Sequence, residues 1–416
     1  MKKFLLLVTI AFIQLGLLAQ VQKEVVTGEG YANDVYYSLE NGTVTTVQRD
    51  NWDIGFITKQ MSVSVLANNG SGVELFTYPG GTIDDWASLD TTGMDWTPMY
   101  NSLETFDMGA LNYNTIPGDD FDYGWGRYDM STHNITGDSV LVIKTISGAY
   151  KKLAINMKNA IANTWEFRFA NLDGSDEQTV DLNAGDYMDK YFIHYSIDSL
   201  KWVDREPAID DWDLLFTRYY DYTIPYIVTG VLTNDDHVVA QEVRESGMDQ
   251  STHTSYQDTS FTDNISEIGS DWKNFDMGSF SYVLVDTVVY YLKTYGESDS
   301  TYYKIYFTDF SGSSEGRYTF MQEEIWLVSA EENALPGHLL QVYPNPASDH
   351  VQVVFDLYGR ADIDIIDMTG RLITNTAYEA SGFTSLSLDL AELNPGVFFV
   401  RVSSGDNSEV LRFIKK

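Results

Sequence analysis

Apolar and polar side chains alternate at period two along much of this chain. Val351-Gln352-Val353-Val354-Phe355, Ile363-Asp364-Ile365, Ser385-Leu386-Ser387-Leu388-Asp389-Leu390 and Val397-Phe398-Phe399-Val400-Arg401-Val402 all follow this pattern. Successive side chains of a strand point to opposite faces, so each segment predicts a strand with one covered face. Further upstream, residues 140–145 lead through Ser147-Gly148 into 150–157 and then 165–169, and residues 288–294 lead to 302–307 and 316–320. Both read as three-strand meanders rich in aromatic and β-branched residues. No segment sustains a 3.6-residue apolar period, so little helix is expected and the fold class is all-β.

Two segments fall outside that pattern. Lys2 and Lys3 precede an apolar run over 4–18 that ends at Ala19. A basic start, a short apolar stretch and a small residue before a polar segment make 1–19 a secretory signal peptide, too short for the ~20 residues of a membrane span. No other stretch is apolar and long enough to span a bilayer. The second segment, 330–337, is polar and ends in the turn dipeptide Pro336-Gly337, which reads as a linker. Beyond it, turns at Tyr358-Gly359, Thr369-Gly370 and Asn394-Pro395-Gly396 would divide 338–416 into the short strands of a small β-sandwich. Asp362 and Asp364 alternate with Ile363 and Ile365, which places them on a solvated face rather than in a metal cluster.

Four motifs in this last unit carry a resemblance. Val342-Tyr343-Pro344-Asn345-Pro346-Ala347-Ser348-Asp349, Asp367-Met368-Thr369-Gly370-Arg371, Leu393-Asn394-Pro395-Gly396-Val397 and the basic end Arg412-Phe413-Ile414-Lys415-Lys416 resemble the C-terminal sorting domain of the bacterial type IX secretion system. The resemblance implies an Ig-like sandwich over 338–416. It also implies that this unit engages the secretion machinery and its surface sortase, taking the protein through the periplasm to the outer cell surface or the medium.

The passenger preceding it repeats. Asp34-Val35-Tyr36-Tyr37-Ser38 has a counterpart in Asp189-Lys190-Tyr191-Phe192-Ile193, and Asn51-Trp52-Asp53-Ile54-Gly55-Phe56 has one in Asp211-Trp212-Asp213-Leu214-Leu215-Phe216. Gly93-Met94-Asp95 pairs with Gly247-Met248-Asp249, Phe106-Asp107-Met108-Gly109 with Phe275-Asp276-Met277-Gly278, and Ile143-Lys144-Thr145 with Leu292-Lys293-Thr294. Five anchors in one order predict two copies of a domain, 28–186 and 187–329. The Asp-x-Tyr-Tyr and Trp-Asp-x-x-Phe segments, with Lys144-Thr145, Gly148, Lys151, Lys152 and Ile155, resemble the HmuY-like haem-binding family. That resemblance implies two-sheet β domains and a surface site holding haem through two axial side chains.

Composition narrows the chemistry. The chain has no cysteine, which removes disulfides, thiolate metal sites, cysteine nucleophiles and a lipid-anchoring cysteine. Its 61 acidic against 26 basic residues give a formal charge of −35, which repels phosphate backbones and anionic lipid, so no nucleic-acid or membrane-surface partner is expected. A hydrophobic content of 44% is too high for wholesale disorder.

The sharpest candidate site is Arg127-Tyr128-Asp129-Met130-Ser131-Thr132-His133. His133 and Met130 offer the two usual axial ligand types for haem, and Arg127 offers a partner for a propionate. The competing account makes His133 a loop histidine, Met130 a filler and Arg127 the partner of a nearby carboxylate. His253 shares the tripeptide Ser-Thr-His, but by the anchors it is not equivalent to His133; His194 alternates within a strand as a structural residue. No nucleophile elbow, zinc-protease motif, P-loop or dinucleotide fingerprint is present, so no enzyme, catalytic residue or metal site is expected. Asp119-Asp120-Phe121-Asp122 and Asp173-Gly174-Ser175-Asp176 are oxygen-rich loops that calcium would suit, though such runs are ordinarily solvated turns. The alternative to haem or another porphyrin or small hydrophobic ligand is a cofactor-free adhesive or carbohydrate-binding module. In it Trp86, Trp96, Tyr123 and Trp125 would stack on sugars, while Trp52 and Trp212 face the core.

Overall fold

A computed structural model describes residues 20–78, 81–94, 96–254, 256, 260–296, 300–325, 341–367, 370–404 and 407–416. The expected leader, 1–19, and linker, 330–337, lie outside them. The described chain forms two compact units, one within Leu18–Ile325 and one within Trp326–Lys416. Both are built from strands joined by turns, with short 3-10 segments such as Ile83–Ala87 and Ala184–Tyr187 in the first. The all-β expectation therefore holds, and both meanders form as expected. Leu141–Lys144, Tyr150–Asn159 and Thr164–Asn171 pair in sequence, as do Val288–Tyr295, Ser300–Phe310 and Arg317–Ile325.

Four sheets make up most of the first unit. Sheet I carries the first meander, extended by Gln178–Asn183 on one side and by Glu74–Thr77 and Pro98–Met99 on the other. Sheet II has the order Lys201–Val203, Phe192–Ser196, Ile54–Ile57, Val65–Ala67. Sheet III has the order Tyr226–Thr233, Leu214–Asp221, Asn33–Ser38, Gly42–Gln48. Sheet IV carries the second meander, with Val21–Val26 on one edge and Val238–Arg244 on the other. Alternation then decides which sheets face each other. Phe56 and Tyr195 of sheet II pack on Phe167 of sheet I, while Val35, Tyr37, Leu214 and Phe216 of sheet III share a core with Tyr318 and Phe320 of sheet IV. Tyr36, one position along from Tyr37, points the other way into the first core. Sheets I and II thus form one sandwich and III and IV another, and the outer faces of II and III meet.

The strands cross the boundary expected at 186/187. Phe192–Ser196, on the far side of it, pairs with Ile54–Ile57, and Asn33–Ser38 pairs with Leu214–Asp221. Val21–Val26 likewise closes sheet IV against Arg317–Ile325, as Gln178–Asn183 closes sheet I against Thr164–Asn171. Each Trp-Asp pair latches one exchanged hairpin. Asp53 donates its backbone N–H to Tyr195 O at 2.9 Å and its carboxylate accepts from Ile197 N at 2.7 Å and Ile146 N at 2.9 Å. Asp213 donates to Tyr37 O at 2.9 Å and accepts from Leu39 N at 2.6 Å and from His237 Nε2 at 3.1 Å. Asn68 Nδ2 ties Arg49 O and Trp52 O, and Asn234 Nδ2 ties Ile209 O and Trp212 O, each at 2.9 Å. By these bonds Tyr37 corresponds to Tyr195, so the first anchor is displaced by three residues from the expected pairing. The Phe-Asp-Met-Gly anchor does not correspond in space, because Phe106 is buried in the first core and Phe275 is 47% exposed on a separate hairpin.

The second unit departs from its expected turns. Tyr358-Gly359 lies inside a single 18-residue strand, His350–Asp367, paired along its length with Leu372–Asp389. Gly359 has φ 96° and Gly382 φ 107°, a left-handed backbone that glycine adopts without a Cβ penalty, so the strand turns a corner there instead of ending. Its other edge changes partner at this corner, from Gln341–Tyr343 to Gly396–Ser404. Asp364 is buried, contrary to expectation, because Arg401 at 2.5 Å and Asn375 at 2.6 Å compensate it. The Asn345-Pro346-Ala347 segment clasps the chain end. Ala347 N donates to Ile414 O, Lys416 N to Ala347 O, and Ile414 N to the Asn345 side chain.

The latch gives a measurable expectation. Asp213→Ala strands the buried Leu39 N–H at a cost of ~1–3 kcal/mol, lowering the urea midpoint, whereas Asp213→Asn, which retains an acceptor, falls between it and the native protein. Equal midpoints for Asp213→Ala and the native protein would show that the carboxylate does not hold the hairpin.

Candidate functional site

The chain passes between the two sandwiches twice in these sheets, at 49–53 and at 204–213, and both crossings carry large or charged side chains inward. Arg205, Glu206 and Trp212 on one and Trp52 on the other line a cavity of about 90 Å³ between sheets II and III. Sheet II contributes Phe192 and His194; sheet III contributes Asp34, Tyr36, Leu215 and Thr217. Half-buried Asn101, Ser102, Thr105, Arg218 and Tyr220 complete the wall. Gly70 also lines it, and a Cβ there would sit 1.9 Å from Arg218 O, so only glycine lets the 69–71 turn approach sheet III this closely.

These groups form one contiguous chain of contacts. Arg205 Nη2 lies 2.7 Å from Asp34 Oδ2, and Thr217 Oγ1 donates to Asp34 Oδ1 at 2.7 Å. Tyr36 OH donates to Glu206 Oε1 at 3.3 Å, while Tyr191 N and Phe192 N donate to Glu206 Oε2 at 3.1 and 2.9 Å. His194 packs edge-on against Trp52 at 4.4 Å, with Nε2 3.7 Å from Glu206 Oε1, and Tyr36 packs edge-on against Trp212 at 5.1 Å. Burial disfavours the ionised forms of Glu206 and His194. It raises the Glu206 carboxyl to about 7 against the pull of the two backbone donors and Arg205. Burial, with Arg205 adding repulsion, holds His194 well below the usual imidazole range, so its ring is neutral at pH 7.

Several polar atoms of the lining have no hydrogen-bond partner: Nε1 of Trp52 and of Trp212, Nε of Arg205 and of Arg218, and Nδ1 of His194. Buried polar atoms are paired as a rule, so five unpaired ones on residues that line a single cavity are a departure from it.

The residues expected to hold haem lie elsewhere. Arg127, Met130 and His133 sit on the hairpin formed by Gly126–Asp129 and Asn134–Gly137. Met130 is 68% exposed, His133 Nδ1 is 2.6 Å from Tyr128 OH, and Arg127 is paired with Asp119 at 2.9 Å. None of the three lines the cavity, so the local account, a loop histidine with a carboxylate-paired arginine, describes their surroundings. His253, set apart from His133 by its place relative to the Phe-Asp-Met-Gly anchor, occupies the same kind of turn. Asp129 and Asp249 each accept from the Ser and His two and four residues on, and each histidine Nδ1 meets a tyrosine hydroxyl. Asp119, Asp122 and Asp173 spend oxygens on Arg127, Ile116 N and Ser175. Asp210, Asp236 and His237 bring ligand atoms within 4.8 Å of one another, but Lys59 holds Asp236 and Asp213 holds His237.

Of the aromatics expected to stack on sugars, Trp86 and Trp125 are buried and Tyr123 is half-buried; Trp96 is 41% exposed. Trp52 and Trp212 are buried as expected, though on the cavity wall. The residues missed in the sequence are Arg205 and Glu206, hidden in a polar run before Pro207. Their signal was arginine itself, scarce in so acidic a chain and placed beside a strand.

Residues 341–416 match the family model of the secretion system C-terminal sorting domain. The second unit is a type IX sorting domain. The sorting domain's clasp therefore joins the expected first and last motifs, Asn345-Pro346-Ala347 and the basic terminus, into one structural feature. The family match reaches no residue of the passenger, and no curated protein matches the chain. Among solved structures, dimeric latent PorU from Porphyromonas gingivalis is similar at 11% identity with a TM-score of 0.16, over 95% of this chain and 34% of that one. This chain spans about a third of that structure's length, and a likeness at that score supports no inference. Among the described residues, no helix is long and apolar enough to cross a membrane.

The raised Glu206 carboxyl sets a pH dependence. Its unfolded value is near 4.5 and its folded value about 7, so the folded state binds the extra proton in between, and stability from this group falls as pH rises from 4.5 to 7. Glu206→Gln, facing the same Arg205, Tyr36, His194 and Asp34, removes that contribution. Denaturation at pH 5 and pH 7.5 should show a smaller loss of stability in the variant; parallel losses would place the carboxyl pKa elsewhere.

Proposed function

We propose that the passenger, 20–325, is a binding protein of the cell surface or extracellular space that holds a small ligand in the cavity between its sandwiches. The sorting domain indicates type IX export to that location. One observation carries the binding role: unpaired hydrogen-bonding groups gathered on residues that line one cavity. Two HmuY-like copies belong to the same proposal. Support comes from the matched latches at Asp53 and Asp213, Asn68 and Asn234, and from the two meanders, with each copy's opening hairpin exchanged into the other sandwich.

Haem fits this arrangement poorly. A cavity of about 90 Å³ is well below the ~300–1,000 Å³ of pockets for larger cofactors and drug-sized ligands. The proposed role is capture without a cofactor and without catalysis. A second reading, adhesion to carbohydrate, is favoured by a groove of about 380 Å³ lined by Trp96, Tyr100, Tyr220 and Ile227. The rings of Tyr100 and Tyr220 stack in parallel, 4.2 Å apart, next to the exposed Tyr222.

The cavity is tested with a panel of small acids, amides and sugars in thermal shift. The expected outcome is a stabilising compound whose effect is lost in the cavity-filling variant Leu232→Phe, with hemin giving the same absorbance spectrum in native protein and in His133→Ala. A Soret shift abolished by His133→Ala would return the site to the hairpin. For the groove, a glycan retained by native protein should be released by Trp96→Ala; retention by both would remove the second reading.

A further inference from the structure

Apart from His194 Nδ1, the unpaired polar atoms on residues lining the cavity are donors. Both carboxylates on its wall are occupied, Asp34 by Arg205 and Thr217 and Glu206 by Tyr36 and two backbone N–H groups. The indole N–H of Trp52 and of Trp212 and the Nε–H of Arg205 and of Arg218 can only donate, and they are unspent. Trp52, Trp212 and Arg205 are each more than nine-tenths buried, so bulk solvent does not compensate them.

Charge points the same way. Arg218 makes no ion pair among the described residues, nor does the buried Arg49, whose charge is felt by both Arg218 and Asp34. Arg205 and Arg218 line the cavity together with the carboxyls of Asp34 and Glu206, and Arg49 interacts with both Asp34 and Arg218, which sets three guanidinium groups against two carboxyls inside a chain of formal charge −35. An excess of guanidinium groups over carboxyls at this place in so acidic a protein favours an anion with several acceptor lone pairs, which a planar guanidinium meets in fork geometry. The apolar part of the wall is formed by Leu66, Phe106, Leu215, Leu232 and Ile265. At ~15 Å³ per water position, about 90 Å³ holds on the order of six non-hydrogen atoms.

We infer that the cavity takes a short-chain organic carboxylate, its oxygens facing Arg205, Arg218 and the two indole N–H groups and its short carbon chain facing the leucines. The inference rests on the cavity being a ligand site and names the ligand's class. An inorganic oxyanion shares the charge but has no use for the apolar wall.

Isobutyrate, isobutyramide and inorganic phosphate at equal ionic strength, measured by calorimetry and thermal shift on the purified full-length protein, separate these cases. Isobutyrate should bind and raise the melting temperature, with isobutyramide and phosphate at least tenfold weaker. Arg218→Gln, which leaves the Arg205–Asp34 pair intact and is expected to fold, should weaken isobutyrate about tenfold; Arg205→Lys should do so at least as strongly. Unchanged affinity in folded Arg218→Gln overturns the assignment. Equal binding of amide and acid overturns the anion class and leaves the cavity reading standing. Phosphate binding without isobutyrate binding overturns the organic ligand. If none of the three binds, the carboxylate falls, and the cavity reading falls with it only when the broader panel also fails.

Discussion

The passenger depends on a carboxylate that holds a neighbouring hairpin by its backbone. Asp53 and Asp213 each stand at the head of a central strand, and each accepts an N–H from the turn of a hairpin that precedes the other strand's Trp-Asp pair in sequence. A buried carboxylate is costly to desolvate unless its lone pairs are filled, and backbone donors fill them only in one register. The latch therefore fixes which hairpin joins which sheet. It also fixes where the chain must cross between sandwiches.

Those crossings explain why polar chemistry lies deep inside an otherwise aromatic core. A sheet face of strict alternation would have put apolar residues on both sides of the contact between sheets II and III. The connecting segments instead bring Arg205, Glu206, Trp52 and Trp212 into it, and sheet III answers with Asp34 and Thr217. Mutual compensation among these groups is nearly complete for acceptors and incomplete for donors. That imbalance is a property of the cluster as a whole, invisible in any one residue.

The sequence discloses what period two and local turns control. Meanders such as 140–169 were legible because burial on one face writes alternation directly into the chain, and the sorting unit was legible because its motifs are short and clustered. Partner choice between strands was not. Phe192–Ser196 carries the same pattern whichever Trp-Asp strand it joins, and the choice is made by hydrogen bonds from residues such as Asp53 far along the chain. Tyr358-Gly359 looked like a turn because glycine permits one; in the fold it permits a corner within a strand. His133 drew notice as a ligand type, yet ligation needs two side chains face to face, and facing is set by tertiary structure alone.

The closure of sheet IV has a kinetic meaning. Val21–Val26, the first strand among the described residues, pairs with Arg317–Ile325, and Tyr37 OH reaches Gln322 at 2.8 Å across the same span. Contacts separated by nearly the full passenger must close a loop on the order of three hundred residues, which slows folding far more than it weakens the product. Until Arg317–Ile325 is made, Val21–Val26 has no strand to pair with. The passenger is thus buckled shut by its own two ends, and the act of finishing it falls beside the point where the export signal begins.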